Sequence, residues 1–267
     1  MEIAGRKALL TGATGGLGVA IAKALAQRGA VLTLSARKRE ALEALAAELP
    51  GEGHGVLPAD LAEPGEAERL AAEAGEVDIL LANAGLPGAG RMEDFTPEQV
   101  QRALRVNLES PMILAQALYP AMLERGSGHL VFVASLAGKS PAPRSSIYNA
   151  TKFGLRGFAL ALRTDLAPRG IGVSLVSPGF IREAGMFAES GAKSPPGLGT
   201  STPEEVAKAT VRAIEADKVE IAVAPARQRF LAHFGLTSPG IAVRVSSGSA
   251  GQKSAAEIAS GHSDDKR

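Results

Sequence analysis

From residue 7 to residue 224 the sequence alternates short apolar runs with longer stretches of helical spacing, and this alternation limits the available folds more than any other feature. The runs 7–11, 31–35, 54–58, 78–81, 129–135, 171–177 and 219–224 are strand candidates. Between them, 17–28, 39–49, 66–74, 98–125, 146–167 and 203–216 are rich in Ala, Leu, Glu and Arg and are expected to be helices, with Pro111 and Pro120 breaking the fourth. A helix between successive strands brings each new strand back in the same direction. The expected fold is therefore α/β: a Rossmann-like, doubly wound parallel sheet of about seven strands with helices on both faces. The pattern runs without interruption and no fixed-period repeat interrupts it, so one domain is expected over 1–245. Two stretches leave the pattern. Residues 180–202 carry Gly185, Gly191, Pro195, Pro196, Gly197 and Gly199 and read as a long functional loop. Residues 246–267 have Ile258 as their one large apolar side chain and are expected to be disordered.

Composition narrows the chemistry. With no cysteine among 267 residues, thiolate catalysis, disulfides and cysteine-held metals are excluded, and a reducing compartment is consistent. The four histidines, His54, His129, His233 and His262, lack metal-ligand spacing, so no metal is expected. A net charge of +1 argues against a nucleic-acid partner. No run of about 20 apolar residues and no leader-like N-terminus is visible, so a soluble cytoplasmic protein without a membrane partner is expected. Glycine, at 31 residues, exceeds the usual ~7% share.

Part of that excess lies directly after the first strand candidate, in Thr11-Gly12-Ala13-Thr14-Gly15-Gly16-Leu17-Gly18, which leads into a helix. Unpaired N–H groups and the positive end of a helix dipole meet there, and glycine lets a pyrophosphate approach the backbone. An ordinary glycine-rich turn is the plainer alternative. The spacing is Gly-x-x-x-Gly-x-Gly, and with Asn83-Ala84-Gly85, Asn107, Ser135, Tyr148-x-x-x-Lys152 and Pro178-Gly179 in this order the chain resembles the classical short-chain dehydrogenase/reductases over residues 5 to 225. The resemblance implies a nicotinamide cofactor held by Gly12, Thr14, Gly15, Gly16, Leu17, Gly18, Asp60, Leu61, Asn83, Ala84, Gly85, Tyr148, Lys152, Pro178, Gly179 and Ile181. It also implies a homodimer or homotetramer, formed through the helices at 98–125 and 146–167. Two positions depart from the family: Glu183 replaces a frequent threonine, with Arg182 offered as a substitute anchor, and Ala82 replaces the first Asn of Asn-Asn-Ala-Gly.

At the end of the second strand, where an acid would select NAD, the chain reads Ser35-Ala36-Arg37-Lys38-Arg39. NADP(H) is expected, with Arg37 as main ligand of the 2′-phosphate and Ser35 or Lys38 assisting; a solvated corner is the plainer alternative, against which cations sit poorly at a helix N-terminus without an anion. The resemblance assigns catalysis to Asn107, Ser135, Tyr148 and Lys152. Tyr148 and Lys152 are four apart and share a helix face. An ammonium beside the phenol lowers its pKa from about 10, so that it trades a proton with the alcohol or carbonyl oxygen. Ser135 binds that oxygen, Lys152 also holds the nicotinamide ribose, and Asn107 places a water on a relay from Lys152. Leu86, Leu136, Phe180, Met186 and Phe187 point to an apolar carbonyl or alcohol substrate; Phe230, Leu231, Phe234, Leu236 and Ile241 line it or pack elsewhere. The alternative from another class is a non-catalytic, cofactor-binding regulator or scaffold.

Overall fold

The computed structural model describes residues 1–261. Strands β1 (Lys7–Thr11), β2 (Val31–Ser35), β3 (Gly55–Val56), β4 (Ile79–Ala82), β5 (Gly128–Val133), β6 (Ile171–Pro178) and β7 (Glu220–Val223) form one parallel sheet in the order β3-β2-β1-β4-β5-β6-β7. Helices α1 (Gly16–Ala26), α2 (Arg39–Glu48), α3 (Glu66–Ala74), α4 (Pro97–Leu104), α5 (Ser110–Glu124), α6 (Ser146–Leu166), α7 (Met186–Glu189) and α8 (Pro203–Glu215) connect or flank them, and α9 (Ala226–Thr237), α10 (Pro239–Ser246) and α11 (Ser249–Ser260) follow the last strand.

Successive strand side chains point to opposite faces, and both faces are apolar. Ala8, Leu10, Ile79, Leu81, Val131 and Val133 pack with α1, α2 and α8 in one core. Their neighbours Leu9, Leu80, Leu130 and Phe132 pack with α3, α5 and α6 in the other. The strand order reverses between β1 and β4, which opens a crevice at their carboxyl ends. Thr11 ends β1 there and Asn83 follows β4.

Three expectations are corrected. Neither proline breaks the fourth helix: Pro111 fits the first turn of α5, where a missing N–H costs little, and Pro120 lies on the exposed face of α5, where a carbonyl without its donor is open to water. The interruption is a π-helical turn, Arg105–Glu109, in which Ser110 N–H donates to the Arg105 carbonyl. The third strand is shorter than the run 54–58, because His54 uses its ring to accept from Leu32 N–H (3.1 Å) and Pro58 has no N–H to give. The tail is not wholly unstructured: α11 spans Ser249–Ser260, favoured by the helix former Ala at 255, 256 and 259 and by burial of Ala259. Positions 262–267 of the expected disordered tail, His262 included, lie outside the described residues.

Candidate active site

The glycine turn is built by close packing. Gly12 has φ +65° and a Cβ there would stand 2.8 Å from Ala84 Cα, so a side chain is excluded on both counts. Thr11 Oγ1 accepts from Asn83 N–H and Ala84 N–H (both 3.1 Å), and Asn83 Nδ2 donates to the carbonyls of Thr11 and Gly12 (both 3.1 Å). These bonds tie the end of β4 to the glycine turn. Helix α1 starts with Gly15 as N-cap, no side-chain cap and no acid in its first turn. Its first amide groups therefore suit an anion, and Thr14 and Gly15 of the turn are exposed. The segment after β6 shares this space: Gly185 N lies 2.8 Å from the position of a Cβ on Gly16, with Ala184 closer still, and Met186 Cε is 3.3 Å from that of one on Gly85.

At the other end of the crevice, Ala13 N–H donates to the Ser35 carbonyl and Ala59 N–H to that of Ala36, so the turn, the end of β2 and Asp60 lie side by side (both 3.1 Å). Ser35 is buried, whereas Arg37 and Lys38 are exposed and their side chains have no hydrogen-bond or ion-pair partner among the described residues. Arg39 pairs with Glu43 at 3.7 Å. Asp60 Oδ1 accepts from Ala62 N–H (3.0 Å); Leu61 is buried in the core and its carbonyl accepts from Ser110 Oγ (3.1 Å).

Ser135 follows β5 in extended conformation and caps a short 3₁₀ turn, Leu136–Gly138, its Oγ accepting from Ala137 N–H (3.1 Å) and donating towards the Pro178 carbonyl (3.4 Å). Ser135 lies close enough to the Tyr148 phenol to favour its charged form. The turn is pressed on α6: a Cβ on Gly138 would sit 2.6 Å from the Lys152 carbonyl. Lys152 Nζ donates to the Val133 carbonyl (3.0 Å), lies 5.7 Å from the Tyr148 ring centre and is 3.8 Å from a Cβ position on Gly85. Burial pushes the Lys152 ammonium down to about 8. Burial also pushes the Tyr148 phenol above its ordinary value, outweighing the effect of Ser135, so in this arrangement the expected lowering by Lys152 is not what the phenol experiences.

Asn107 is fully buried. Its Oδ1 accepts from Leu86 N–H (2.6 Å) and its Nδ2 donates to the Leu86 carbonyl (2.9 Å) and Thr151 Oγ1 (3.3 Å), so the side chain fixes the segment after Gly85, and its Oδ1 and Lys152 Nζ stand 3.3 and 3.8 Å from the same Cβ position on Gly85. Pro178 ends β6, Gly179 N–H donates to the Val223 carbonyl (3.0 Å), and buried Ile181 bridges Ser201. Arg182 is occupied by Glu183 (2.8 Å) and by Thr200 (3.3 Å). The rings of Phe180 and Phe187 meet at 4.7 Å between centres, tilted by 40°, while Phe230, Leu231 and Ile241 are exposed. Two residues escaped the sequence reading. Buried Gln228 of α9 accepts from Phe180 N–H (3.3 Å) and donates to the Leu198 and Gly199 carbonyls (3.2 and 2.8 Å), pinning both ends of the 180–199 loop. Glu220 of β7 gathers three active-site elements. Neither sits in a motif, and no local pattern marks either one.

The short chain dehydrogenase family model matches residues 6–195. Among characterised relatives, the ketoacyl reductase HetN of Nostoc sp. is 35% identical over 227 residues, covering 83% of this chain and 79% of that one. A short-chain dehydrogenase from Sphingobium yanoikuyae, solved with NADPH, superposes with a TM-score of 0.77 at 28% identity over 88% of this chain and 95% of that one. The 3-ketoacyl-(acyl-carrier-protein) reductase of Brucella melitensis, solved with NADH, gives 0.75 at 27% identity over 85% and 99%.

Proposed function

Because the chain belongs to the short-chain dehydrogenase family of oxidoreductases, we propose that it is an NADP-dependent enzyme that reduces a carbonyl compound of apolar character to its alcohol, and runs the reverse oxidation. The observation that carries this reading is the meeting of Ser135, Tyr148 and Lys152 beside Gly85, at the carboxyl edge of the sheet. When bound, the dinucleotide supplies or accepts the hydride. Tyr148 gives its proton to the oxygen left negative by that transfer, and a phenol held protonated by burial suits this acid role. Ser135 Oγ donates a hydrogen bond to the same oxygen. Lys152 keeps a positive charge below the phenol and holds the nicotinamide-side ribose; Asn107 fixes the Gly85–Leu86 backbone that borders it. Relatives named a ketoacyl reductase and a dehydrogenase/reductase support catalysis over the non-catalytic alternative.

Three observations support the finer points. Ala36 stands where an acid would select NAD, and the unpaired Arg37 offers its guanidinium to a 2′-phosphate. Leu86 follows Gly85, Leu136 follows Ser135, Met186 Cε stands 3.3 Å from a Cβ position on Gly85 and the rings of Phe180 and Phe187 meet after β6, which supports an apolar substrate. Exposed Leu104, Met112 and Phe153 on α4, α5 and α6 favour self-association through those helices. Among the described residues no helix is long and apolar enough to cross a membrane. Initial rates with NADPH and NADH on ethyl acetoacetate, benzaldehyde and 2-decanone test the reading. NADPH is expected to be preferred, with Arg37→Ala cutting that preference about tenfold or more, as loss of a charged hydrogen bond does; equal use of both dinucleotides, unchanged in the variant, would remove the NADP assignment.

A further inference from the structure

We propose that Glu220 is a positioning residue for the reaction: one carboxylate on the last strand holds together the three segments that carry Ser135, Tyr148–Lys152 and Pro178. Its side chain is only 12% exposed. Oε1 accepts from Lys139 Nζ (3.0 Å) and Ser177 Oγ (2.8 Å), and Oε2 from Arg156 Nε and Nη2 (both 3.2 Å). Burial alone pushes the carboxyl up, but the bonds from Lys139, Ser177 and Arg156 outweigh it and hold the group below the ordinary glutamate range.

Each donor reports to a different part of the site. Lys139 closes the 3₁₀ turn that Ser135 opens, and Gly138 within that turn rests on the Lys152 carbonyl. Arg156 is one helical turn beyond Lys152 and two beyond Tyr148, on the same stripe of α6. Ser177 precedes Pro178, whose carbonyl faces Ser135 Oγ. Removing the carboxylate leaves two half-buried cations facing each other with no counter-charge, and their repulsion drives the Ser135 turn away from α6. The glycine turn and Arg37 lie across the crevice on other strands and keep their arrangement. Glu220 therefore acts on the hydride-transfer geometry more than on dinucleotide capture, in which the glycine turn and Arg37 hold the phosphates.

This inference rests on the proposed role of Tyr148, and its test separates the two. The chain holds two tyrosines and no tryptophan, so tyrosinate ultraviolet absorbance reads Tyr148 once Tyr148→Phe has given the contribution of Tyr119. In Glu220→Gln, the Tyr148 titration is expected to move to lower pH under the uncompensated cations. Fluorescence titration should give NADPH affinity within about threefold of wild type, and kcat on the best ketone or aldehyde above should fall about tenfold or more. Adding Lys139→Met to Glu220→Gln should cost little further, since both act through one contact. An unchanged kcat and tyrosine titration in Glu220→Gln, or full additivity in the double variant, overturns the proposal. Should Glu220→Gln fail to fold, Lys139→Met and Arg156→Met decide: each lowers kcat with NADPH affinity kept, and wild-type kcat in both overturns it. Full turnover by Tyr148→Phe would instead sink the function proposed above.

Discussion

Lys152 and Tyr148 are both shifted against their charged forms by the same apolar surroundings, in opposite senses of pKa. The lysine is held at about 8, so its positive charge is present below that value and lost above it. If that charge supports the phenol and the ribose, carbonyl reduction falls as pH rises through about 8, and Lys152→Arg, which cannot deprotonate, moves this limb upward by at least a unit if it folds around the larger group. A pH profile of kcat for the two proteins checks this. Residue-scale legibility was uneven. Tyr148, Lys152 and Ser135 stand out through the family resemblance, and local spacing adds only that Tyr148 and Lys152 share a helix stripe. Glu220 could not, since a glutamate opening an edge strand looks like any solvated charge until Lys139, Arg156 and Ser177, distant in sequence, converge on it. The role expected of Asn107 was similarly open, because sequence gives its helix but not the backbone of Leu86 that engages it.

At the scale of elements, the 3₁₀ turn after β5 and helix α6 form one unit through the absence of a side chain at Gly138. Gly138→Ala would thrust a methyl into the Lys152 carbonyl, so a loss on the order of 1–3 kcal/mol is expected, with Tm and kcat falling together. Thermal unfolding and kinetics of the variant check it; a stable, fully active Gly138→Ala would mean the turn tolerates displacement. The segment from Ala184 to Met186 is the opposite case, resting on Gly16 and against Gly85 where the dinucleotide is proposed to lie. NADPH is expected to change amide hydrogen exchange at 184–190 while leaving β5 protected. The alternation of strands and helices was legible because hydrophobic period is a local property. The π-helical turn was not, because Pro111 signals a missing donor without saying whether the chain breaks or widens. Helices α9 to α11 were missed because alternation ends at β7 and their apolar residues are few and partly exposed.

For the whole molecule, the doubly wound sheet sets a structural end against a chemical one. On the side away from the crevice, buried His129 bonds Ser174 Oγ at 2.8 Å, while Ser174 Oγ donates to the Lys218 carbonyl (2.6 Å), which joins β5, β6 and the start of β7. Burial pushes His129 down to about 4 from an ordinary 6.5. The unfolded chain binds the proton first, so the stability that neutral His129 contributes is full above pH 6.5 and drains as pH falls from 6.5 towards 4, by up to about 3 kcal/mol. Denaturant unfolding across that range, with His129→Gln flattening the slope, checks the sign. The crevice end carries the central claim, that this chain uses Tyr148 to protonate the oxygen of a carbonyl reduced with NADPH. Single-turnover mixing of the NADPH-loaded enzyme with the best ketone or aldehyde tests it most directly: Tyr148→Phe should bind NADPH as wild type does yet oxidise it about a hundredfold or more slowly, whereas NADPH oxidation at the wild-type rate in that variant would contradict the account.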